Sequence, residues 1–382
     1  MSERVWRYGL LAALLVVFHT ALFTGAWSFW GIPRPVDRPF LDLYALLAAA
    51  DCNQQGHDVF VDNPCDWLGR PHVYPRTWLA FSALGLGRGD VVAVGYAMDL
   101  AFFFALAFVA RPRGWPDVFL ALLVGISPGI MLAVERANFD LVAFAMIATL
   151  VWLRGSKAGV WAGGGLLLLA TALKIYPLVA LAPWAWENRK RRGATLAMVA
   201  VVLAIAAIGA WAWREDWAKM ATRVPAPTSR FFSMGAPLLF EHLGLPHSTL
   251  LGRSALAIGA VAAVLYGRAR VVLPERRFDV LLGATVLLFC FFARTNYDYR
   301  WVFVALVLPA AWRAGSLGRG VVAATAVVLW TDAATLWLGN LLGPSPTMAL
   351  VIAVAPIVDH ACSWIVVLGC TALAAGGAAP ER

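Results

Sequence analysis

Apolar segments long enough to cross a membrane recur along the whole chain, and short polar turns separate them. About 20 apolar residues span the hydrocarbon core of a bilayer. Continuous apolar runs favour helices over the alternating pattern of a transmembrane β-barrel. The pattern therefore predicts an all-α polytopic membrane protein. The predicted transmembrane helices, about twelve in number, are 8–27, 91–110, 118–133, 141–153, 160–173, 176–186, 194–213, 249–266, 280–292, 301–312, 321–337 and a last one ending near Ala375.

Two long polar segments interrupt this pattern, at 31–76 after the first span and at 214–247 after the seventh. Within the first segment, the short apolar stretch 41–50 predicts an amphipathic helix lying at the membrane interface. The stretch 77–86 is too short to cross and predicts a second interfacial or re-entrant helix. We expect residues 1–382 to form a single integral-membrane domain with both polar segments as extracytoplasmic loops.

The composition supports a membrane protein, because 61% of residues are hydrophobic and 14% are charged, against about 25% charged in soluble domains. The net charge of +9 is explained by Lys and Arg at cytoplasmic helix ends, so no nucleic acid partner is expected. The basic clusters 111–113, 189–192, 268–277 and 313–319 fall on the same side as both termini. We therefore expect cytoplasmic termini in the cell inner (plasma) membrane, with both polar loops outside.

Three short charged turns, 135–140, 174–177 and 294–300, are predicted on the same outer face as the two loops. Charged groups near the membrane plane are costly and commonly mark a functional site. Carboxylates beside Arg and Lys suit an anionic substrate with a group that loses a proton. Ion pairing within each turn is the competing interpretation. The carboxylates are Asp42, Glu135, Asp140 and Asp298, and the cations are Arg136, Lys174, Arg230, Arg294 and Arg300.

Cys52 and Cys65 share the first polar loop. If that loop is extracytoplasmic, its oxidising surroundings allow a disulfide, and two free thiols are the alternative. No spacing of His, Cys and Asp indicates zinc. A divalent cation held by Asp42 and Glu135 is conceivable but not indicated, so no cofactor is expected.

The order of these motifs resembles the GT-C superfamily of integral-membrane glycosyltransferases, and most closely glycosyltransferase family 87. The resemblance is carried by an acidic residue after the first span, by a Glu-Arg-Gly-Asn-x-Asp turn and by a Lys-x-x-Pro turn. Bacterial members also share the Asn-Pro-Cys, Arg-Pro and Tyr-Pro run and the Asn-Tyr-Asp-Tyr-Arg turn. The corresponding residues here are Asp42 in 40–44, 135–140 with Ala137 where glycine is usual, 174–177, 63–75 and 296–300.

The resemblance implies a GT-C-like fold and transfer of a mannose-like hexose or a pentose. It implies a polyprenyl-phosphate donor, a lipid or envelope-glycan acceptor, and reaction on the extracytoplasmic face with inversion. Asp42 is then the general base. We expect Lys174, Arg294, Arg300 and, with less support, Arg230 to hold the donor phosphate. The remaining polar residues of the turns are expected to contact the acceptor or sugar: Glu135, Arg136, Asn138, Asp140, Tyr176, Asn296 and Asp298.

Alternatives stay open at this point. Asp42 could instead be the N-cap of the short helix that follows it, since Asp is a preferred cap. The whole protein could be a transporter or flippase of a lipid-linked or anionic substrate, although the polar residues gather at one face and no internal repeat is visible. Because Ala137 departs from the family pattern, a non-catalytic subunit of an envelope-assembly complex is a third possibility.

Overall fold

The computed structural model describes residues 2–32, 39–224, 232–268, 274–293 and 295–378. Nearly all regular structure within these ranges is helical. The α-helices are α1 (Glu3–Thr24), α2 (Leu41–Gln54), α3 (Val91–Ala110), α4 (Trp115–Gly125), α5 (Pro128–Glu135), α6 (Phe139–Leu153), α7 (Lys157–Leu173), α8 (Leu181–Glu187), α9 (Arg192–Ala212), α10 (Arg214–Ala221), α11 (Ala236–His242), α12 (Ser248–Gly267), α13 (Arg277–Ala293), α14 (Leu308–Ala311), α15 (Gly315–Leu342) and α16 (Pro346–Ala378).

Short 3₁₀ helices and one small sheet complete the described structure. Strands β1 (Ser233–Met234) and β2 (Asn296–Tyr297) pair antiparallel, with Ser233 opposite Tyr297. The 3₁₀ helices are Ala26–Trp30, Arg76–Leu84, Arg88–Asp90, Tyr176–Ala180, Arg189–Arg191, Pro274–Arg276 and Asp298–Leu306.

The predicted class of an all-α polytopic membrane protein is confirmed. In the described part of the chain, α4 and α5 meet at a 57° bend and form one more candidate span if they are taken together. The 6 helices long and apolar enough to cross a bilayer are Glu3–Thr24, Arg88–Ala110, Arg189–Ala212, Ser248–Gly267, Gly315–Leu342 and Pro346–Gly376.

Several of the other predicted spans are broken or short. The predicted span 176–186 is a 3₁₀ helix followed by α8, which has 7 residues. The predicted span 301–312 is divided between the 3₁₀ helix Asp298–Leu306, nearly all of whose residues are buried in the protein, and the short helix α14. Pro177 and Pro309 stand at the first positions of such short helices, where a missing N–H is tolerated. An apolar run alone does not distinguish a spanning helix from a buried core segment.

The chain divides into two compact units, and two of the four boundaries between them fall within α3 and α5. The first unit comprises Met1–Arg34, Leu106–Leu132 and Ala226–Arg382, and the second comprises Pro35–Ala105 and Ala133–Pro225. In the first unit, α16 packs against α12, α13 and α15. In the second unit, α6 packs on α7 and α7 packs on α9.

Helix α2 is a buried element of the second unit. The helix was predicted over 41–50 with one apolar face at the membrane interface. It runs over Leu41–Gln54 instead, and apolar residues are buried on several sides of it. It packs against the 3₁₀ helix Arg76–Leu84, which is the form that the predicted helix 77–86 takes. The prediction of an amphipathic helix was therefore wrong for α2, because segments beyond the loop, such as the 3₁₀ helix Arg76–Leu84 and the region of Met220, cover its faces as well.

A disulfide joins Cys52, near the end of α2, to Cys65. The two cysteines belong to a buried apolar cluster, and the partly buried Tyr44 and Trp217 pack against it. The cluster comprises Ala48, Ala49, Cys52, Val59, Phe60, Cys65, Leu79 and Met220. This cluster packs the later part of the first polar loop against α2.

The start of α2 depends on a close approach of Phe40 to Gly95. Phe40 is buried and has a positive φ of 62°, a conformation that side chains other than glycine seldom adopt. A Cβ atom on Gly95 would lie 2.4 Å from the Phe40 ring. The glycine of α3 therefore makes room for the ring, and the packed ring fixes the residue from which α2 begins.

Candidate functional site

Asp42 occupies the second position of α2, and its side chain does not cap the helix. The N-cap residue is Phe40, and no side-chain cap is formed there. The backbone N–H groups of Asp42 and Leu43 donate instead to the carbonyl oxygen of Arg136, at 3.2 and 3.3 Å. The alternative of Asp42 as an N-cap is therefore wrong. Its carboxylate is left for other contacts because a carbonyl from another segment satisfies the helix end.

The Asp42 carboxylate has a hydrogen-bond donor at one oxygen and a cation near the other. Asn138 donates from Nδ2 to Oδ2 at 2.7 Å. Nη1 of Arg70 lies 3.9 Å from Oδ1. The side chain of Asp42 is 17% exposed. The carboxylate is thus oriented by protein groups while part of it remains open to a ligand.

Asn138 lies in the turn 135–140. The residue before it, Ala137, stands where the family usually has glycine and has a left-handed backbone conformation. Ala137 has a positive φ of 44°, in the left-handed region where glycine is favoured. Alanine adopts a left-handed conformation here, so its presence does not exclude the kind of turn that glycine allows. Asn138 then caps α6 by accepting a hydrogen bond from the N–H of Asp140 at 2.9 Å.

The turns 135–140 and 174–177 meet through an ion pair. Nζ of Lys174 lies 2.8 Å from Oδ2 of Asp140, and the two side chains are 13% and 0% exposed. The ammonium also lies over the rings of Tyr74, at 5.4 Å, and Tyr176, at 5.9 Å. Cation–π contacts of this kind stabilise a partly desolvated cation. Lys174 and Asp140 thus form an ion pair, and both are also residues that were predicted to belong to the site.

Glu135 and Arg136 connect this turn to the start of α2. The carbonyl of Glu135 accepts the N–H of Phe40 at 3.0 Å. Nε of Arg136 lies 4.0 Å from a carboxylate oxygen of Glu135, whose side chain is 3% exposed. Their backbone carbonyls hold α2, so these two residues contribute to the position of Asp42 through the main chain.

Two charged residues beside Asp42 were not given a role from the sequence. Asp66 is buried although it lies in a polar loop. It accepts from Nε of Arg70 at 2.7 Å and from Nη2 at 3.1 Å. Nη2 also donates to the carbonyl of Leu41 at 3.0 Å. The signal in the sequence was the run 63–75, which was noted as a family feature without any assignment to individual residues.

The surroundings of Arg70 keep it charged. Burial lowers the pKa of its guanidinium, but the hydrogen bond to Asp66 and the charges of Asp66 and Asp42 together raise it above the ordinary value. Two carboxylates in contact with one guanidinium favour its charged form. Arg70 is therefore a permanent positive charge next to Asp42.

Three of the predicted site residues belong to the first unit. Asn296 donates to the carbonyl of Cys290 at 2.7 Å and accepts a hydrogen bond from Arg300. The N–H of Asp298 donates to the carbonyl of Phe232 at 3.1 Å. Burial, and then the charges of Asp332 and Asp359, raise the pKa of Asp298 well above its usual value. Two other predicted phosphate ligands, Arg294 and Arg230, lie outside the described residues.

The second unit thus gathers one partly open carboxylate, an amide donor and two cations. These groups can orient a hydroxyl, accept its proton and attract an anion. Within the residues that the structure describes, no group of three or more His, Cys, Asp or Glu side chains is placed to hold a metal ion.

The family model of glycosyltransferase family 87 matches residues 73–293, more than half of the chain. The matched region contains both the 135–140 and the 174–177 turns, while Asp42 and Arg300 lie outside it. No curated protein and no solved structure matches the chain. With its apolar spanning helices and this match, the chain belongs to glycosyltransferase family 87 and is a polytopic membrane glycosyltransferase.

Proposed function

We propose that this protein transfers a sugar, a mannose-like hexose or a pentose, from a polyprenyl-phosphate donor to a lipid or envelope-glycan acceptor. The reaction takes place at the extracytoplasmic face of the inner membrane and inverts the anomeric centre. Asp42 is the general base. Family membership supports a transferase over a transporter.

The observation that carries this proposal is the state of the Asp42 carboxylate. A carbonyl of another segment caps its helix, so the side chain is not used for that purpose. Asn138 orients one of its oxygens at 2.7 Å, and the side chain is 17% exposed. An oriented and accessible carboxylate is what a general base needs to reach an acceptor hydroxyl.

The proposed step is a single displacement. The acceptor oxygen forms a bond to the anomeric carbon while the bond from that carbon to the phosphate oxygen breaks. The electron pair stays with the phosphate, which leaves as polyprenyl phosphate. The acceptor proton passes to Asp42 and then to water. A phosphate leaves without a strong general acid, so one carboxylate suffices, whereas a glycoside hydrolase uses two.

We assign the donor phosphate first to Lys174, which belongs to the same unit as Asp42. The ammonium lies between two tyrosine rings and pairs with Asp140 at 2.8 Å. The phosphate would share this ammonium with Asp140 or take its place. Arg294, Arg300 and Arg230 stay predicted phosphate ligands, and Glu135, Arg136, Asn138, Asp140, Tyr176, Asn296 and Asp298 stay predicted contacts of the acceptor or sugar.

The proposal is tested by supplying the purified full chain in liposomes with labelled polyprenyl-phosphate mannose or polyprenyl-phosphate arabinose. A total lipid extract of the host envelope serves as acceptor. Asp42→Asn should lower transfer by about 10²–10⁴-fold, the usual contribution of a general base. Asp62→Asn, an exposed position in the same loop, is the matched control and should transfer normally.

Two results would contradict the proposal. Near-normal transfer by Asp42→Asn would remove that residue from the role of base. Uptake of intact labelled donor across the vesicle membrane without any glycosylated product would favour the transporter.

A further inference from the structure

The loop segment that carries Arg70 is attached to both ends of α2. The disulfide from Cys52 to Cys65 fixes the loop near the C-terminal end of the helix. The Arg70 guanidinium reaches the carbonyl of Leu41 at the N-terminal end, at 3.0 Å. These attachment points are eleven residues apart, about 16 Å along an α-helix. The segment between them therefore cannot swing away from Asp42 without breaking one of its attachments.

Hydrogen bonds inside the segment 63–70 make it rigid. The N–H of Arg70 donates to Oδ2 of Asp66 at 3.0 Å, and the amide of Asn63 donates to the carbonyl of Arg70 at 3.2 Å. The N–H of Asp66 donates to the carbonyl of Asn63 at 3.1 Å. The segment is a closed turn whose side chains and backbone fix one another.

The guanidinium donates to one carboxylate and lies within ion-pair distance of a second. Nε and Nη2 bind Asp66 at 2.7 and 3.1 Å. Nη1 lies 3.9 Å from Oδ1 of Asp42. A planar fork with fixed donor directions can serve two acceptors at once, whereas a lysine ammonium is a flexible point charge. Asp66 thus sets the plane of the fork, and the fork faces the carboxylate that we assign as general base.

We propose that Arg70, held in place by Asp66, is the positioning residue for Asp42. This inference rests on the proposed function. Asn138 hydrogen-bonds Oδ2 and the Arg70 charge lies near Oδ1, so together they favour one rotation of the carboxylate. In a displacement with inversion, the acceptor side and the leaving phosphate lie on opposite sides of the anomeric carbon. A cation in contact with the base is therefore on the acceptor side and acts through Asp42 instead of holding the donor phosphate.

The experiment compares kcat and the donor KM of Arg70→Ala, Arg70→Lys and Asp66→Asn, with polyprenyl-phosphate mannose as donor. Arg70→Ala should lower kcat by about 10²-fold, the scale of a misplaced catalytic group, with the donor KM within about threefold of wild type. Arg70→Lys should not restore kcat. The kcat of the double variant Arg70→Ala/Asp66→Asn should lie within about threefold of the kcat of Arg70→Ala, because the two residues act as one unit.

The matched control is Arg76→Ala, which breaks the pair of Arg76 with Asp216 at 2.8 Å without touching Asp42. It should keep kcat, and it should lower thermal stability by less than Arg70→Ala, because the Arg76 side chain is 47% exposed. If Arg70→Ala fails to fold, Arg70→Lys and Asp66→Asn carry the same test.

Unchanged kcat in Arg70→Lys and Asp66→Asn would overturn the inference. A raised donor KM with unchanged kcat would also overturn it and make Arg70 a phosphate ligand. The outcomes of Asp42→Asn separate this inference from the proposed function. If Asp42→Asn transfers normally, the assignment of the base has failed, whereas loss in Asp42→Asn with full kcat in the Arg70 variants refutes the positioning role alone.

Discussion

Asn138 donates a hydrogen bond of 2.7 Å to Oδ2 of Asp42, a residue 96 positions earlier in the chain. The same side chain accepts the N–H of Asp140 at the start of α6. One amide therefore orients the proposed base with its nitrogen and caps a helix with its oxygen. The two uses can be separated, because an aspartate at position 138 keeps the acceptor and loses the donor.

Asn138→Asp should keep the cap of α6 and lose activity. Aspartate is as good an N-cap as asparagine, but a carboxylate beside Asp42 repels it and offers no donor. We expect sugar transfer to fall by about 10²-fold, the effect of a displaced catalytic group, and the melting temperature to fall as well, because the new carboxylate is buried beside Asp42. Transfer assays and thermal unfolding in the same detergent check this.

Asn138→Ala provides the comparison, since it removes both hydrogen bonds. It should lose activity and also about 1 kcal/mol of stability from the lost cap. Full activity in Asn138→Asp would show that the bond to Asp42 does not serve the reaction.

Ala137→Gly should be tolerated in both stability and activity. The left-handed conformation costs alanine about 1–2 kcal/mol more than glycine, while loss of a buried methyl group costs about 0.8 kcal/mol. The two effects nearly cancel, so the free energy of unfolding should change by less than about 1 kcal/mol. Ala137→Val should be destabilised by more, because a β-branched residue at positive φ is strongly disfavoured. Inactivity of Ala137→Gly would mean that the turn differs from the family's glycine turn.

The Lys174–Asp140 pair allows structure and function to be separated. Lys174→Met alone leaves the buried Asp140 carboxylate without this ion-pair partner, and breaking a buried pair costs about 3–5 kcal/mol. Lys174→Met/Asp140→Asn should recover much of that stability, because it removes both charges. If Lys174 binds the donor phosphate, the double variant should still have a raised donor KM.

Thermal unfolding and donor titrations of the single and double variants measure the two effects. A double variant with normal stability and a normal donor KM would show that the pair is structural only.

Acidification should destabilise the second unit through His72. Burial lowers the pKa of His72 from 6.5 to about 4. Above pH 6.5 the imidazole is neutral in both states and contributes no pH dependence. Between about pH 6.5 and 4 the unfolded chain takes up a proton that the folded chain does not, so stability falls by about 1.4 kcal/mol per pH unit.

Melting temperatures of wild type and His72→Leu between about pH 4 and 7.5 test this linkage. The variant should lose the part of the slope that His72 causes. His57→Gln, at an exposed position in the same loop, is the control and should leave the slope unchanged. Equal slopes in wild type and His72→Leu would contradict the assignment.

Much of the architecture could be predicted from the order of residues. Hydrophobicity along the chain is a one-dimensional property, and it was enough to predict the all-α membrane class and several of the long helices, such as α3 and α9. The motif around Asp42 and the turns 135–140 and 174–177 pointed to glycosyltransferase family 87, which the match over residues 73–293 confirms.

Other features depended on contacts between residues distant in sequence. The N-cap assignment of Asp42 failed because the carbonyl that satisfies the helix end comes from Arg136. The burial of α2 and of Asp66 was missed for a similar reason, since loop segments cover them. Arg70 received no individual role, because the sequence does not show that its side chain reaches Asp42 and the carbonyl of Leu41.

The local pattern of the chain therefore specified which segments are apolar, the helical class of the protein and which residue types carry charge. It did not specify which charges are desolvated or which acceptor each donor reaches. Those properties arise when the loop 63–75 and the turn 135–140 pack on α2, because burial and hydrogen-bond geometry depend on neighbours that are far apart along the chain.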